Sequence, residues 1–119
     1  MTQKTKFKGV ISIIMVEDLD AAMAYYTEKL GFNVQFVSEW DYNGVERDGL
    51  QVHIGKGKPN PVTAHGVHFY IHVENIDDLR EEFLASGAIT EDVKVVDQPY
   101  GQRELYVRDP FGYQLGFYQ

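Results

Sequence analysis

The residues of this chain that could do chemistry are imidazole, amide and carboxylate side chains on predicted strands. Polar and apolar residues alternate there, so His68, Tyr70 and His72 share one face of a strand. Gln51 and His53 share one face of another strand for the same reason. Such groups bind divalent metals or contact polar ligands. The chain has no cysteine, which excludes thiolate metal sites, cysteine nucleophiles and disulfide bonds. It also lacks a serine-nucleophile elbow and a dinucleotide-binding glycine motif.

Composition limits the function classes further. A length of 119 residues predicts one domain, 1–119. The formal net charge of −7 opposes binding to nucleic acid, which requires a positive surface. No apolar run approaches the roughly 20 residues that span a bilayer, and residues 1–6 lack the apolar stretch of a signal peptide. We therefore expect a cytoplasmic protein that binds neither nucleic acid nor membrane.

The elements that must position these groups follow one order twice. In each half an apolar strand leads to a helix with an Asx N-cap, Asp18 or Asn75, and the helix ends at Gly31 or Gly87. Three strands follow in each half, with a hairpin turn at residues 48–49 in the first. The predicted strands are 9–16, 32–37, 40–45 and 50–54 in the first half and 67–73, 93–96, 104–107 and 114–118 in the second.

Similarity between the halves indicates an internal duplication. Residues 16–20 read VEDLD and residues 73–77 read VENID, 57 positions later. We therefore predict an α+β fold with two tandem βαβββ modules, 7–55 and 65–119, joined by a connector, 56–64. The modules are expected to form a curved mixed sheet around a cleft, with the helices on the outer face. Alternation then directs one set of side chains toward the cleft: Ile11, Ile13 and Met15 in the first strand and His68, Tyr70 and His72 in its counterpart.

Two segments resemble a known protein family. Residues 97–117 resemble the closing motif of bleomycin-resistance proteins, D-Q-x-W/Y-G-x-R-E followed by D-P-x-G and an alternating apolar end. Residues 16–32 resemble the helix signature of the vicinal oxygen chelate superfamily, which ends in F-Y-x-x-x-L-G-F. The resemblance implies the glyoxalase/bleomycin-resistance fold and a homodimer whose two clefts are built from halves of both chains, sometimes with exchange of the N-terminal strand. It does not select a function, because the superfamily includes isomerases, epoxide-opening transferases, dioxygenases, epimerases and non-catalytic binders.

The resemblance also implies four metal-ligand positions in catalytic members, two in each half, filled by His, Gln or Glu. In this chain they fall on Ile11, on Gln51 or His53, on His68 and on Gly116. Ile11 and Gly116 offer no side-chain donor, so too few ligands remain for tight binding of Mg²⁺, Mn²⁺ or Zn²⁺. We expect no metal and no other cofactor. A divergent metal site would use His68 with His53 or Gln51.

The predicted ligand-contacting residues lie on the cleft face or at its rim: Trp40, Tyr42, Gln51, His53, His68, Tyr70, Tyr100, Glu104 and Tyr106. Trp40 stands in a short polar segment without core neighbours, which favours stacking on a planar ligand. Tyr100 fills the aromatic position of the closing motif and by resemblance would wall the cleft. Two partners stay open for Glu104, a ligand cation or an ion pair with Arg103 or Arg108.

These observations favour binding over catalysis. We expect a metal-independent protein that binds and sequesters a small, antibiotic-like molecule in the cleft. An acidic cleft with stacking side chains suits a ligand with cationic and aromatic groups. The alternative is a divergent metal-dependent lyase, isomerase or dioxygenase of the same superfamily, with ligands from unusual positions such as His53 and His72. A metabolite-sensing module without catalysis is the third hypothesis.

Overall fold

The computed structural model describes residues 4–61 and 67–119 and shows two βαβββ halves. The first half contains β1 (Ser12–Val16), α1 (Leu19–Ala24) continued by a π-helical segment (Tyr25–Lys29), β2 (Asn33–Phe36), β3 (Tyr42–Arg47) and β4 (Leu50–Lys56). The second contains β5 (Phe69–His72), α2 (Ile76–Ser86), β6 (Val96–Asp97), β7 (Arg103–Arg108) and β8 (Gln114–Tyr118). The predicted α+β fold with two βαβββ modules is confirmed. The connector 56–64 and the boundary at residue 65 fall partly outside the described residues and stay predictions.

Each half forms its own four-stranded mixed sheet, so the strands make two sheets where one curved sheet was expected. The strand orders are β1-β4-β3-β2 and β5-β8-β7-β6. The first strand of each half runs parallel to the last, and the other neighbours are antiparallel. The pairing register of the two halves is also equivalent. Ile13 on β1 lies opposite His53 on β4. Tyr70 on β5, which is 57 positions after Ile13, lies opposite Gly116 on β8. This equivalence of order and register is what a duplicated unit predicts.

Both helices begin where the sequence predicted. The side chains of Asp18 and Asn75 each accept a hydrogen bond from the backbone N–H three residues on. The second helix ends at Gly87, whose left-handed φ of +83° suits a residue without a Cβ. The first helix departs from uniform α-helical spacing, since its last turn widens into the π-helical segment. No described helix is long and apolar enough to cross a membrane.

The helix-covered faces of both sheets share one core. Its buried side chains come from both helices and both halves, among them Ile14, Val16, Tyr26, Val45, Ile54, Ile76, Phe83, Leu105, Leu115 and Phe117. Polar contacts also cross between the halves, because the Tyr26 hydroxyl donates to Asp109 at 2.8 Å and the Ser86 hydroxyl donates to the Lys29 carbonyl at 2.6 Å. The opposite face of each sheet carries no helix, and it bears the alternate residues that the strand pattern assigned to a cleft. The predicted strand facing is therefore confirmed.

Most predicted strands differ from the observed ones at one or both ends, and two of these differences have an identifiable cause. The segment predicted as strand 93–96 pairs only at Val96–Asp97, because the Val93 carbonyl instead accepts a hydrogen bond from Arg80 at 2.8 Å. The strand predicted from residue 40 begins at Tyr42, since Asp41 adopts a left-handed φ of +56° that interrupts an extended chain.

Candidate ligand-binding site

The helix-free face of the second sheet carries a buried carboxylate surrounded by tyrosines. Glu104, on β7, is only 2% exposed. Its carboxylate accepts hydrogen bonds from the hydroxyls of Tyr70, Tyr100 and Tyr106, the Tyr100 bond being 2.8 Å long. Tyr70 also donates to the side-chain oxygen of Gln102 at 2.7 Å. Four of the predicted site residues therefore meet in one cluster, which we call the Glu104 cluster (Tyr70, Tyr100, Glu104 and Tyr106).

Strand register and one glycine explain how Tyr70 reaches Glu104 from two strands away. Tyr70 on β5 and Tyr106 on β7 both lie opposite Gly116 on the intervening strand β8. A Cβ at Gly116 would lie 2.9 Å from Cδ1 of Tyr70 and 3.0 Å from Cγ1 of Val67. The missing side chain thus leaves the space over β8 that the Tyr70 ring occupies, and its hydroxyl extends to the carboxylate.

Tyr70 of the Glu104 cluster also belongs to a stack of three aromatic rings. Tyr118 stacks with Tyr70 at a centroid distance of 4.3 Å and an interplanar angle of 17°, and with His72 at 4.7 Å and 10°. Strand pairing brings the rings together, since His72 lies opposite Tyr118 in the β5–β8 register. Tyr118 was absent from the predicted site. Its place two residues after Gly116, on the same strand face, was a usable signal.

The carboxylate of Glu104 has no cationic partner among the described residues. Of the two partners left open for Glu104, the ion pair with an arginine does not form: Arg103 binds Asp77 at 2.8 Å and Asp97 at 2.9 Å, and Arg108 donates to the Gln114 side chain at 3.0 Å. Hydrogen bonds from the three hydroxyls stabilise the charged carboxylate instead.

The hydrogen bonds also govern protonation within the cluster. Burial opposes ionisation of Glu104, but bonds from Tyr106, Tyr70, Tyr100 and Gln98 outweigh it and hold the pKa of the carboxyl below its ordinary value. The pKa of the Tyr70 hydroxyl is raised by burial and by its bond to Glu104. The pKa of the Tyr106 hydroxyl is raised by the same bond and by burial. The cluster therefore holds one negative charge and protonated phenols at neutral pH.

The helix-free face of the first sheet carries a group of aromatic side chains at equivalent positions. The Tyr42 hydroxyl and His53 Nδ1 lie 2.8 Å apart, and the Phe36 ring meets the His53 ring edge-on at 5.1 Å. Gly44, opposite both Phe36 and His53, leaves room for the Phe36 ring. Nε2 of His53 is buried and has no hydrogen-bond partner. Gln51, beside this group, accepts a hydrogen bond from Gln35 at 3.0 Å.

His68 lies where the two halves meet. Its Nε2 is 3.2 Å from the Ile13 carbonyl, and its ring lies 4.8 Å from that of Tyr113. Nδ1 is buried without a partner. The Tyr113 hydroxyl contacts both Met15 backbone groups and the Asn60 side chain, so it fastens the second half to β1 and the connector.

The metal-ligand positions implied by the family resemblance do not fit a metal. The shared register identifies His53 as the counterpart of Gly116, which resolves the choice between Gln51 and His53. Ile11 and Gly116 offer no side-chain donor, and the Tyr70 ring covers Gly116. Within residues 4–61 and 67–119, no three His, Asp or Glu side chains lie close enough together to hold a metal ion.

Two predicted site residues lie outside these groups, His68 between the halves and Trp40 on the surface. Trp40 is 78% exposed, and its backbone N–H donates to the Ser38 hydroxyl at 3.2 Å. The residues on the two sheets, by contrast, form the two groups described above, one around His53 and one around Glu104. Phe36 and Gln102 were missed because neither falls on a residue of the recognised motifs.

A groove lies on the helix side of the molecule, away from both groups. It has a volume of about 720 Å³ and runs between the 47–50 turn of the first half and α2 of the second. Arg47 spans it, with bonds of 2.7 Å to Glu82 and 2.8 Å to the Leu30 carbonyl.

The sequence profile of the Glyoxalase/Bleomycin resistance protein/Dioxygenase superfamily matches residues 9–117. The chain belongs to this superfamily. No protein with a curated description matches it.

Solved structures agree on the fold of this superfamily member. The bleomycin-binding protein of Streptomyces verticillus, solved with copper(II)-bleomycin, is 26% identical, with a TM-score of 0.74 over 96% of this chain and 97% of that one. A glyoxalase-related enzyme from Clostridium phytofermentans gives a TM-score of 0.79 at 22% identity over 98% of both chains. Lactoylglutathione lyase from Agrobacterium tumefaciens gives 0.72 at 19% identity over 97% and 95%. These neighbours include a binding protein and enzymes, so the fold alone does not choose between them.

Proposed function

We propose that this chain is a metal-independent, cytoplasmic protein that binds and sequesters a small antibiotic-like molecule carrying aromatic and cationic groups. The observation that carries the proposal concerns Gly116, which stands at a metal-ligand position of the family and has no side-chain donor. The ring of Tyr70 occupies the space where a ligand side chain would lie, and its hydroxyl donates a hydrogen bond to Glu104. A side chain introduced at Gly116 to bind a metal would collide with that ring.

The comparison with the Streptomyces verticillus protein supports the proposal. That protein binds bleomycin, and it matches this chain at 26% identity over nearly the whole length of both. The aromatic and carboxylate groups of this chain suit a ligand of the same general character, because aromatic faces and a negative charge both attract cations.

We also propose that the binding form is a homodimer. The radius of gyration is 15.5 Å, whereas a compact chain of this length has about 13.5 Å. Residues 4–11 form no helix or strand, and Phe7 and Val10 there are 94% and 96% exposed. Ile11 and Ile13 on the helix-free face are exposed as well. A second copy would cover these apolar groups and could close a cleft between helix-free faces.

Titration of metal-free protein with bleomycin tests the proposal. Protein dialysed against a chelator is titrated with metal-free and copper-loaded drug while the fluorescence of Trp40 and calorimetric heat are followed. We expect saturable binding, one ligand per cleft, that does not depend on added Mn²⁺ or Zn²⁺. Analytical ultracentrifugation of the same samples gives the oligomeric state. Binding of any family ligand that appears only after metal is restored would contradict the proposal.

A divergent metal-dependent enzyme is the second candidate, and two histidines favour it. Nε2 of His53 and Nδ1 of His68 are both buried without a hydrogen-bond partner, as free ligand atoms would be. Metal analysis of purified protein decides the matter. Stoichiometric Zn²⁺, Mn²⁺ or Fe²⁺ that is lost in both His53→Ala and His68→Ala would support the enzyme and exclude the metal-free binder.

A further inference from the structure

We propose that the ring stack Tyr70–Tyr118–His72, together with the Glu104 cluster, is a subsite for a planar cation with delocalised charge. The inference rests on the proposed function and names the ligand chemistry of one part of the cleft. Such a cation would lie on the Tyr70 ring, extending the stack, with its positive charge above the buried carboxylate.

The first step of the argument is that the negative charge of Glu104 has no cationic partner among the described residues. Glu104 is buried and ionised, yet no Lys or Arg in the described residues pairs with it. The nearest arginine in sequence, Arg103, is held by Asp77 and Asp97. Three tyrosine hydroxyls occupy the carboxylate oxygens, so the charge is solvated by hydrogen bonds while its field remains uncompensated.

The second step is the effect of the carboxylate on the rings. Each hydroxyl that donates a hydrogen bond to an anion shifts electron density toward its own ring, and the hydroxyls of Tyr70 and Tyr106 both donate to Glu104. An electron-rich ring face attracts cations more strongly, because the negative quadrupole of the face grows. Tyr70 combines this polarisation with 45% exposure, so its ring is accessible to a ligand.

The third step is shape. The ring planes of Tyr70 and His72 lie within 17° and 10° of that of Tyr118, which stands between them. A stack of parallel rings can add a further flat ring at its end, whereas a compact ammonium group would contact little of that surface. Planarity and positive charge therefore select heteroaromatic cations over simple amines and over neutral rings.

Matched probes test the charge preference. N-methylacridinium is a permanent cation, and acridine is a neutral ring of nearly the same shape at mildly alkaline pH. Both are titrated into the metal-free protein, and their fluorescence and binding heat are measured. We expect N-methylacridinium to bind at least about tenfold more tightly than acridine.

Variants test which side chains cause the preference for the cationic probe. In Glu104→Gln the preference for the cation should disappear while acridine binding is retained. Tyr70→Phe keeps the ring but removes the bond to Glu104, so it should reduce the preference and serves as a second variant if Glu104→Gln folds poorly. Tyr70→Leu should weaken both probes. The control Phe111→Leu changes an aromatic residue that packs against the core and belongs to neither helix-free face, so it should change neither affinity by more than about twofold. Circular dichroism checks the fold of each variant.

Two results would overturn the inference. Equal affinity for the two probes would do so, and so would a cation preference that survives both Glu104→Gln and Tyr70→Phe. In either case bleomycin binding by the same preparation would leave the proposed function intact. Conversely, a cation preference carried by Glu104 together with metal-dependent binding of family ligands would uphold this subsite and reject the metal-free function.

Discussion

The helix-free faces of the two sheets place different chemistry at equivalent positions. His53 in the first sheet corresponds to Gly116 in the second, and Tyr42 corresponds to Glu104. The first face therefore centres on a tyrosine–histidine pair, and the second on a carboxylate that accepts hydrogen bonds from three phenols. One duplicated backbone supports both arrangements.

The difference depends on where each sheet has a glycine in its central strands. In the first sheet Gly44 on β3 makes room for a ring from β2, that of Phe36. In the second sheet Gly116 on β8 makes room for a ring from the other edge, that of Tyr70. A missing side chain thus decides which neighbouring strand covers the centre of the face. The ring that covers the face in turn decides which polar group becomes buried. The following substitutions test how the glycine, the covering ring and the buried polar group depend on one another.

The largest effect is expected from Glu104→Leu. It leaves three tyrosine hydroxyls without their acceptor, and the free energy of unfolding should fall by about 2–3 kcal/mol, measured by urea denaturation. The matched control is Glu46→Leu, which removes a half-buried carboxylate from the same face of the first sheet and should stay within about 0.5 kcal/mol of the parent. Equal losses in the two variants would contradict a special role for the second face.

A smaller loss is expected from Gly116→Ala. The new methyl group would lie 2.9 Å from the Tyr70 ring, so strain of about 1–2 kcal/mol and loss of the Tyr70 bond to Glu104 should follow. Gly55→Ala is the control in the first sheet, where the nearest atom is the flexible Met15 sulfur at 2.9 Å. Thermal melting should rank Gly55→Ala as the milder variant, and the opposite order would disprove the spacing argument.

The next effect in size is the pH dependence of the free energy of unfolding, which should distinguish the second face from the first. The folded-state pKa of Glu104 lies below its ordinary value of 4.5, so its ionisation stabilises the fold fully above that pH. This stabilisation is lost as the pH falls through the lowered folded pKa. The stability difference between the parent and Glu104→Gln should therefore narrow in that window, as followed by denaturation at a series of acidic pH values. A difference that stays constant there would exclude an ionised Glu104.

The smallest effect is expected in the first sheet from Tyr42→Phe. It removes one hydrogen bond to a half-buried histidine, so the loss should be about 1 kcal/mol. Trp40→Phe provides the baseline, because an exposed side chain outside the strands should change stability by less than about 0.5 kcal/mol. A larger loss from Trp40→Phe than from Tyr42→Phe would show that the rim, and not the sheet face, supports the first half.

The fold was predictable because its signals are local and repeated. The Asx caps at Asp18 and Asn75, the glycine after α2 and the alternation along β1 and β5 each act over a few residues. Because the βαβββ unit occurs twice, signals of the same kind appear in both halves. The bounds of β6 and β3 were not predictable, since the Arg80 bond to the Val93 carbonyl and the left-handed Asp41 depend on tertiary contacts and local backbone geometry.

The candidate site was predictable only in part. Strand parity placed Tyr70, Glu104 and Tyr106 on one face, and the structure brings them together. The sequence left an arginine and a ligand cation open as partners of Glu104, and Arg103 does not pair with it because it binds Asp77 on α2, 26 positions away in the sequence. Distant carboxylates compete for an arginine, and a sequence pattern does not show which one is near.

The sequence by itself determined the two-module fold, the faces of its strands and the lack of donors at Ile11 and Gly116. These follow from residue type and from periodicities that the backbone imposes. Only the tertiary structure decided that the Tyr70 ring occupies the space above Gly116 and that Glu104 is hydrogen-bonded by hydroxyls and not paired with an arginine. Such choices depend on which side chains from separate strands compete for one volume, and packing in three dimensions settles that competition.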